Sequence, residues 1–121
     1  MRAYLAMSID ELKDFYAQKK FVPEIVYAPT IKFITENPEL DDEEAEYEIS
    51  MIAARNSEGY VIAIEVTDKK IAQHLEETLV LSDPVIWENV EALFVYDSTD
   101  DELTWYATQE IGDYLDNASP K

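Results

Sequence analysis

The single histidine, His74, has Glu77 three residues later, and on a helix that spacing would put two metal donors on one side. A zinc-type site needs at least a third donor from elsewhere in the fold. His74 is therefore read as a structural or exposed residue. There is no cysteine, which removes disulfides, thiolate metal ligands and a thiol nucleophile together. A Ser–His–acid triad is formally possible, but no serine lies in a G-x-S-x-G elbow. Gly59 and Gly112 are the only glycines, too few for a phosphate-cradling or dinucleotide-binding loop. Carboxylates are so numerous that the closeness of any two of them carries no information. An acid–base pair would also need an enclosing cleft and one raised pKa. No catalytic residue, metal or cofactor is expected.

Two segments remain as a partner or ligand surface. The run Asp41-Asp42-Glu43-Glu44 opens the acidic stretch that continues to Glu48. It lacks the alternating ligands and turn glycine of a calcium loop. As an ordinary feature it is the solvated start of a helix, where the macrodipole favours acids. The second segment is Leu103 to Ile111. Read as a helix, it places Trp105 with Gln109 and Tyr106 with Glu110, aromatic area beside polar handles. Its ordinary reading is core packing.

The elements that must position these residues follow from apolar periodicity and caps. Arg2–Met7 reads as a strand. Ser8 with Glu11 makes a capping box for a helix to about Gln18, with Ile9, Leu12, Phe15 and Tyr16 as its stripe. Lys19 and Lys20 suit its C-terminal dipole. Glu24–Ala28 is β-prone, and Thr30 caps a brief helix carrying Phe33 that ends at Asn37-Pro38. Asp41 or Asp42 starts the longest helix, to about Asn56, burying Ala45, Ile49, Ile52 and Ala53. Tyr60–Val66 is the strongest strand signal and Val90–Tyr96 the second, with Thr78–Leu81 and Val85–Trp87 as short candidates. Helices are expected over Lys69–Leu75 and from Asp100 or Asp101 to Ile111 or Leu115, with Gly112 a possible early stop. This order predicts an α+β fold, one domain over residues 1–115, with helices on a small mixed or antiparallel sheet. Residues 116–121 are expected to be a loose tail.

Twenty-seven acids face nine bases, a formal net charge of −18. Residues 33–54 and 71–120 contain no Lys or Arg. With 47% apolar residues the chain can still build a core, so the charge belongs to a folded surface rather than to a disordered segment. Such a field repels phosphate backbones and anionic bilayers, so direct binding to nucleic acid or membrane is not expected. No apolar run approaches the roughly 20 residues that span a bilayer. The start of the chain does not read as a signal peptide, and a cytoplasmic location is expected.

The opening Met1-Arg2-Ala3-Tyr4-Leu5, the central Glu43-Glu44-Ala45-Glu46-Tyr47 and the later Leu103-Thr104-Trp105-Tyr106-Ala107-Thr108-Gln109-Glu110 resemble a small, functionally uncharacterised actinobacterial family. The resemblance spans most of the chain and implies a bacterial cytosolic housekeeping or accessory protein. It brings no activity with it. The leading expectation is a non-enzymatic domain that docks a basic protein through its acidic surface. The alternatives are a DNA mimic that occupies a nucleic-acid-binding protein, and a small ligand-binding or enzymatic domain built on Trp105–Glu110.

Overall fold

A computed structural model describes residues 1–23 and 25–118. In chain order the elements are β1 (Arg2–Met7), α1 (Ile9–Gln18), β2 (Lys20–Phe21), β3 (Val26–Tyr27), α2 (Ile31–Glu36) and α3 (Asp42–Arg55). They continue with β4 (Tyr60–Glu65), β5 (Ile71–His74), β6 (Thr78–Leu81), β7 (Val85–Ile86), β8 (Val90–Asp97), β9 (Glu102–Ala107) and α4 (Ile111–Ala118). Seven strands form one sheet in the order β5-β6-β3-β1-β4-β8-β9, and β2 pairs with β7 in a separate ribbon. Every pairing among the described strands is antiparallel. The fold is α+β, as the sequence predicts.

The caps work as expected. Ser8 Oγ accepts the Glu11 N–H at 3.1 Å while Glu11 Oε1 accepts the Ser8 N–H at 3.0 Å. Asp41 and Glu44 repeat this at the start of α3, at 2.8 and 3.1 Å. The end of α1 differs from a simple charged last turn. Lys19 closes the helix in the left-handed region, at φ 63°, and lays its ammonium 3.8 Å from the centre of the Tyr16 ring. Lys20 has already moved into β2.

Period-two alternation divides the central strands between two cores. Leu5, Met7, Ile62, Ile64 and Leu93 point to one face, under Leu12 and Phe15 of α1 and Ile111 and Leu115 of α4. Tyr4, Val61, Ala63 and Ala92 point to the other, under Ala45, Ile49 and Ala53 of α3 and Phe33 of α2. Because both faces are covered, β4 reads Val61-Ile62-Ala63-Ile64 without a polar break. Full burial of each large aliphatic side chain contributes about 1.5–3 kcal/mol. The cross-strand pair Ala63–Ala92 lies on the α3 side, beside a one-residue bulge between β4 and β8.

Several expectations fail. The predicted helix over Lys69–Leu75 is a 3-10 turn, Asp68–Lys70, followed by β5, which completes a hairpin with β6. Val85–Trp87 stops as a strand at Ile86, and Trp87 begins a second 3-10 turn that packs on Phe15 and Tyr16. Most consequentially, the predicted final helix is β9, a 3-10 turn over Thr108–Glu110, and only then α4. The six residues from Glu102 to Ala107 pair in register with β8, so Asp101 is a hairpin-turn residue at φ 55°, not an N-cap. Gly112 does not stop a helix. It sits in the first turn of α4, where a Cβ would lie 2.5 Å from the Tyr16 hydroxyl, so its lack of a side chain lets α4 approach α1. Asp116–Ala118 belong to α4 rather than to a loose tail, and Glu24 and the tail residues 119–121 lie outside the described residues.

Candidate functional site

The structure distributes the predicted surface residues over three places. Asp41, Asp42, Glu43 and Glu44 form the first turn of α3. Asp41 and Glu44 are committed to the capping box, while Asp42 and Glu46 border a cavity of about 290 Å³ with Arg2, Pro29, Ile34 and Ala45. Beside it, Arg2 Nε lies 3.3 Å from Glu91 Oε1. Burial pushes the Tyr4 hydroxyl up to about 12, against the pull of Arg2 and with Glu46 and Glu91 reinforcing it. Among the described residues no group of three His, Asp or Glu side chains is arranged to hold a metal ion.

Because β9 is a strand, Trp105 and Tyr106 face opposite ways, and the helix predicted to pair Trp105 with Gln109 and Tyr106 with Glu110 on shared sides does not form. Trp105 lies opposite Phe94, and Leu103 opposite Tyr96, on the α3 side of the sheet. There α3 packs over β3, β1 and β4. The outer strip of Phe94, Tyr96 and Leu103 is half-buried, and Trp105 is 57% exposed at the sheet edge. Asp101 frames one end of the strip. Its carboxylate accepts from Arg55 Nη2 at 2.8 Å and Nε at 3.2 Å, and from the Tyr96 hydroxyl at 2.6 Å. Those donors hold the Asp101 carboxyl down at about 2, and the hydrogen bond that Tyr96 gives to Asp101 raises the Tyr96 hydroxyl.

Tyr106 points to the other face, against α4. Its ring centre lies 4.8 Å from that of Tyr114, inclined by 52°, and the Tyr114 hydroxyl meets that of Tyr60 at 3.2 Å. Burial raises the Tyr114 hydroxyl, and the hydrogen bond with Tyr60 adds to it. Tyr106, Glu110, Asp113, Tyr114 and Asn117 line a cavity of about 350 Å³. Glu110 is fixed there because its Oε1 accepts the Ala107 N–H at 2.9 Å. The predicted neighbour Gln109 is exposed on the 3-10 turn and does not line this cavity. Of the residues singled out in the sequence, this cavity gathers Tyr106 and Glu110, and it adds Asp113, Tyr114 and Asn117, which the sequence reading did not single out. The available signal was four consecutive β-prone residues, Leu103 to Tyr106, after the turn-forming Asp100-Asp101.

His74 is on a strand, paired with Leu79, so the helical His-x-x-Glu arrangement is absent. It borders the largest of these cavities, about 530 Å³, with Thr30, Ile31, Lys32, Leu75 and Glu76. Thr30, Lys32 and Glu76 in that lining already engage one another. Thr30 donates to the Glu76 carbonyl, and Lys32 pairs with the Glu76 carboxylate at 2.7 Å.

No described Asp or Glu is buried, and acids stand on α1 and α4 on one face, on α3 on the other and in the β8–β9 turn. No described helix is long and apolar enough to cross a membrane. Comparison with curated proteins and with solved structures finds no match. Residues 1–98, from β1 through β8, match the model of a family of unknown function (DUF6912), and the chain belongs to that family.

Proposed function

We propose that this is a non-enzymatic accessory domain of the cytoplasm that docks a basic protein through its acidic surface. The observation that carries the reading is the strip Phe94–Tyr96–Leu103–Trp105, which runs from the half-buried margin of the α3 core to an exposed Trp105 on β9, a strand with no further partner strand among the described residues. Trp and Tyr supply much of the energy at protein interfaces, and an exposed Trp on an uncovered sheet edge is a fitting anchor. The net charge selects a positively charged occupant and speeds its encounter more than it tightens the complex. A strand added to β9 would gain backbone hydrogen bonds while its basic residues meet the surrounding carboxylates. The non-enzymatic part of the reading is supported by what the neighbouring acids already do. Asp41 and Glu44 cap α3, Glu110 caps a 3-10 turn, and Asp101 pairs with Arg55 and Tyr96. A DNA mimic needs carboxylates aligned along one elongated face, and acids spread over both faces give that reading no support.

The test is an NMR titration with a peptide of alternating Lys and Val, at low and high salt. Shifts concentrated on β9 and the Trp105 indole, abolished by Trp105→Ala and weakened but not erased by salt, are expected. Shifts scattered over all the acidic elements, or unchanged in Trp105→Ala, would show a nonspecific polyanion instead.

A further inference from the structure

We infer that the cavity between β9 and α4 is a recognition site for an organic cation, a guanidinium or ammonium group on an alkyl stem. The inference does not rest on docking at Trp105, which lies on the opposite face of the sheet. Three observations carry it. First, two walls are aromatic. Tyr106 and Tyr114 meet at a 52° angle with ring centres 4.8 Å apart, which makes a corner rather than a flat stack. Tyr60 buttresses Tyr114 from behind through a ring contact at 6.2 Å and the 3.2 Å hydroxyl contact, so the corner is held in shape before any ligand arrives. Second, Glu110, Asp113 and Asn117 line the same cavity and follow one another at spacings of three and four, so they rise along one side of the chain. Third, the space is about 350 Å³, enough for an alkyl stem as well as its charged head.

The chemistry of this lining discriminates among ligands. A ring face is negative and attracts a cation placed over it, as the Lys19 ammonium already shows over Tyr16. Two carboxylates exclude an anion. A divalent metal ion is disfavoured because the lining offers two carboxylates and one amide against the six or more oxygens such an ion takes. A guanidinium suits the site best, being planar, weakly hydrated and able to stack on a ring while donating to carboxylates at its edge. The cation can come from the side chain of a basic polypeptide or from a free alkylamine. Both present the same chemistry to the corner.

Butylguanidinium and its neutral isostere butylurea are the probes, followed by NMR on the full chain. Butylguanidinium should bind saturably and shift Tyr106, Tyr114 and Asp113, with butylurea weaker by at least tenfold. Glu110→Gln keeps an oxygen for the Ala107 N–H, and Asp113→Asn leaves α4 intact, so each removes charge without removing structure. The pair together should lower affinity about tenfold, and Tyr106→Leu should lower it severalfold with the fold unchanged. Equal binding of the two probes, or full affinity in the Glu110→Gln/Asp113→Asn double variant, overturns the inference. An arginine held in a short extended peptide supplies the last arm. Binding at least tenfold tighter than butylguanidinium assigns the source to a polypeptide, and equal binding assigns it to a free small molecule.

Discussion

Gly112 offers the sharpest check on how α4 is seated, because two effects of opposite sign compete there. In a helix, replacing Gly by Ala ordinarily stabilises by about 0.8–1 kcal/mol. At this position the new methyl would lie 2.5 Å from the Tyr16 hydroxyl oxygen and 3.2 Å from the ring carbon that bears it. Tyr16 cannot simply swing aside. Its ring stands edge-on to Trp87 at 5.1 Å, with the Lys19 ammonium over its face. Overpacking of this kind costs about 1–3 kcal/mol. The expected net effect of Gly112→Ala is therefore a loss of about 1 kcal/mol, or about 4 °C in melting temperature for a domain of this size. Tyr16→Phe removes the atom responsible for the closest contact. In that background Gly112→Ala should become neutral or stabilising, giving a coupling of about 1–2 kcal/mol in a double-mutant cycle. Thermal or urea unfolding of the four proteins measures it. Should Gly112→Ala stabilise equally in both backgrounds, α4 does not rest on α1 as described, and the corner formed by Tyr106 and Tyr114 loses its support.

Two further expectations concern the rest of the surface and the core. Asp101 titrates lower in the folded protein than an ordinary carboxyl, so its stabilising contribution is complete above about pH 4 and disappears as pH falls toward 2. The carboxyl resonance should show a midpoint near 2, and the melting temperature of Asp101→Asn should fall less steeply across that interval than that of the parent; parallel curves would contradict the Arg55–Asp101–Tyr96 arrangement. Leu93→Ala, at a fully buried site on β8, should cost about 2–5 kcal/mol, whereas Trp105→Ala should cost within about 0.5 kcal/mol and act on binding alone. Equal losses in chemical denaturation would mean that Trp105 is core rather than anchor.

Most elements from β1 through β4 were legible because their signals are local. Ser8 with Glu11 and Asp41 with Glu44 announce helix starts, and the unbroken Val61–Ile64 announces a strand covered on both sides. The segment after β8 was misread for a physical reason. Leu103 to Ile111 satisfies helical spacing and strand alternation alike, and what decides between them is β8, which offers an edge that a local reading cannot see. Ile71–His74 fails in the same way, its strand existing through β6. The candidate surface inherited that error. A helix would have gathered Trp105 with Gln109 on one side, while the strand sends Trp105 and Tyr106 apart and hands Tyr106 to Tyr114, eight residues on. Nothing local in the chain ties those two tyrosines together, since their meeting depends on the Thr108–Glu110 turn.

The alanines beneath α3 have a consequence for how the sheet finds its alignment. In most antiparallel sheets a slip by one residue is rejected because it buries polar side chains and exposes apolar ones. Here β1, β4 and β8 are apolar on both sides, so polarity gives little guidance at their centres. Shape does it instead. Ala63 sits between Tyr4 on β1 and Ala92 on β8, and the large Ile62, Ile64 and Leu93 fill the opposite side. Shifting any one of these strands by a residue would thrust an isoleucine or leucine up against α3 and leave a void beneath α1. Volume, rather than water, keeps these strands in step.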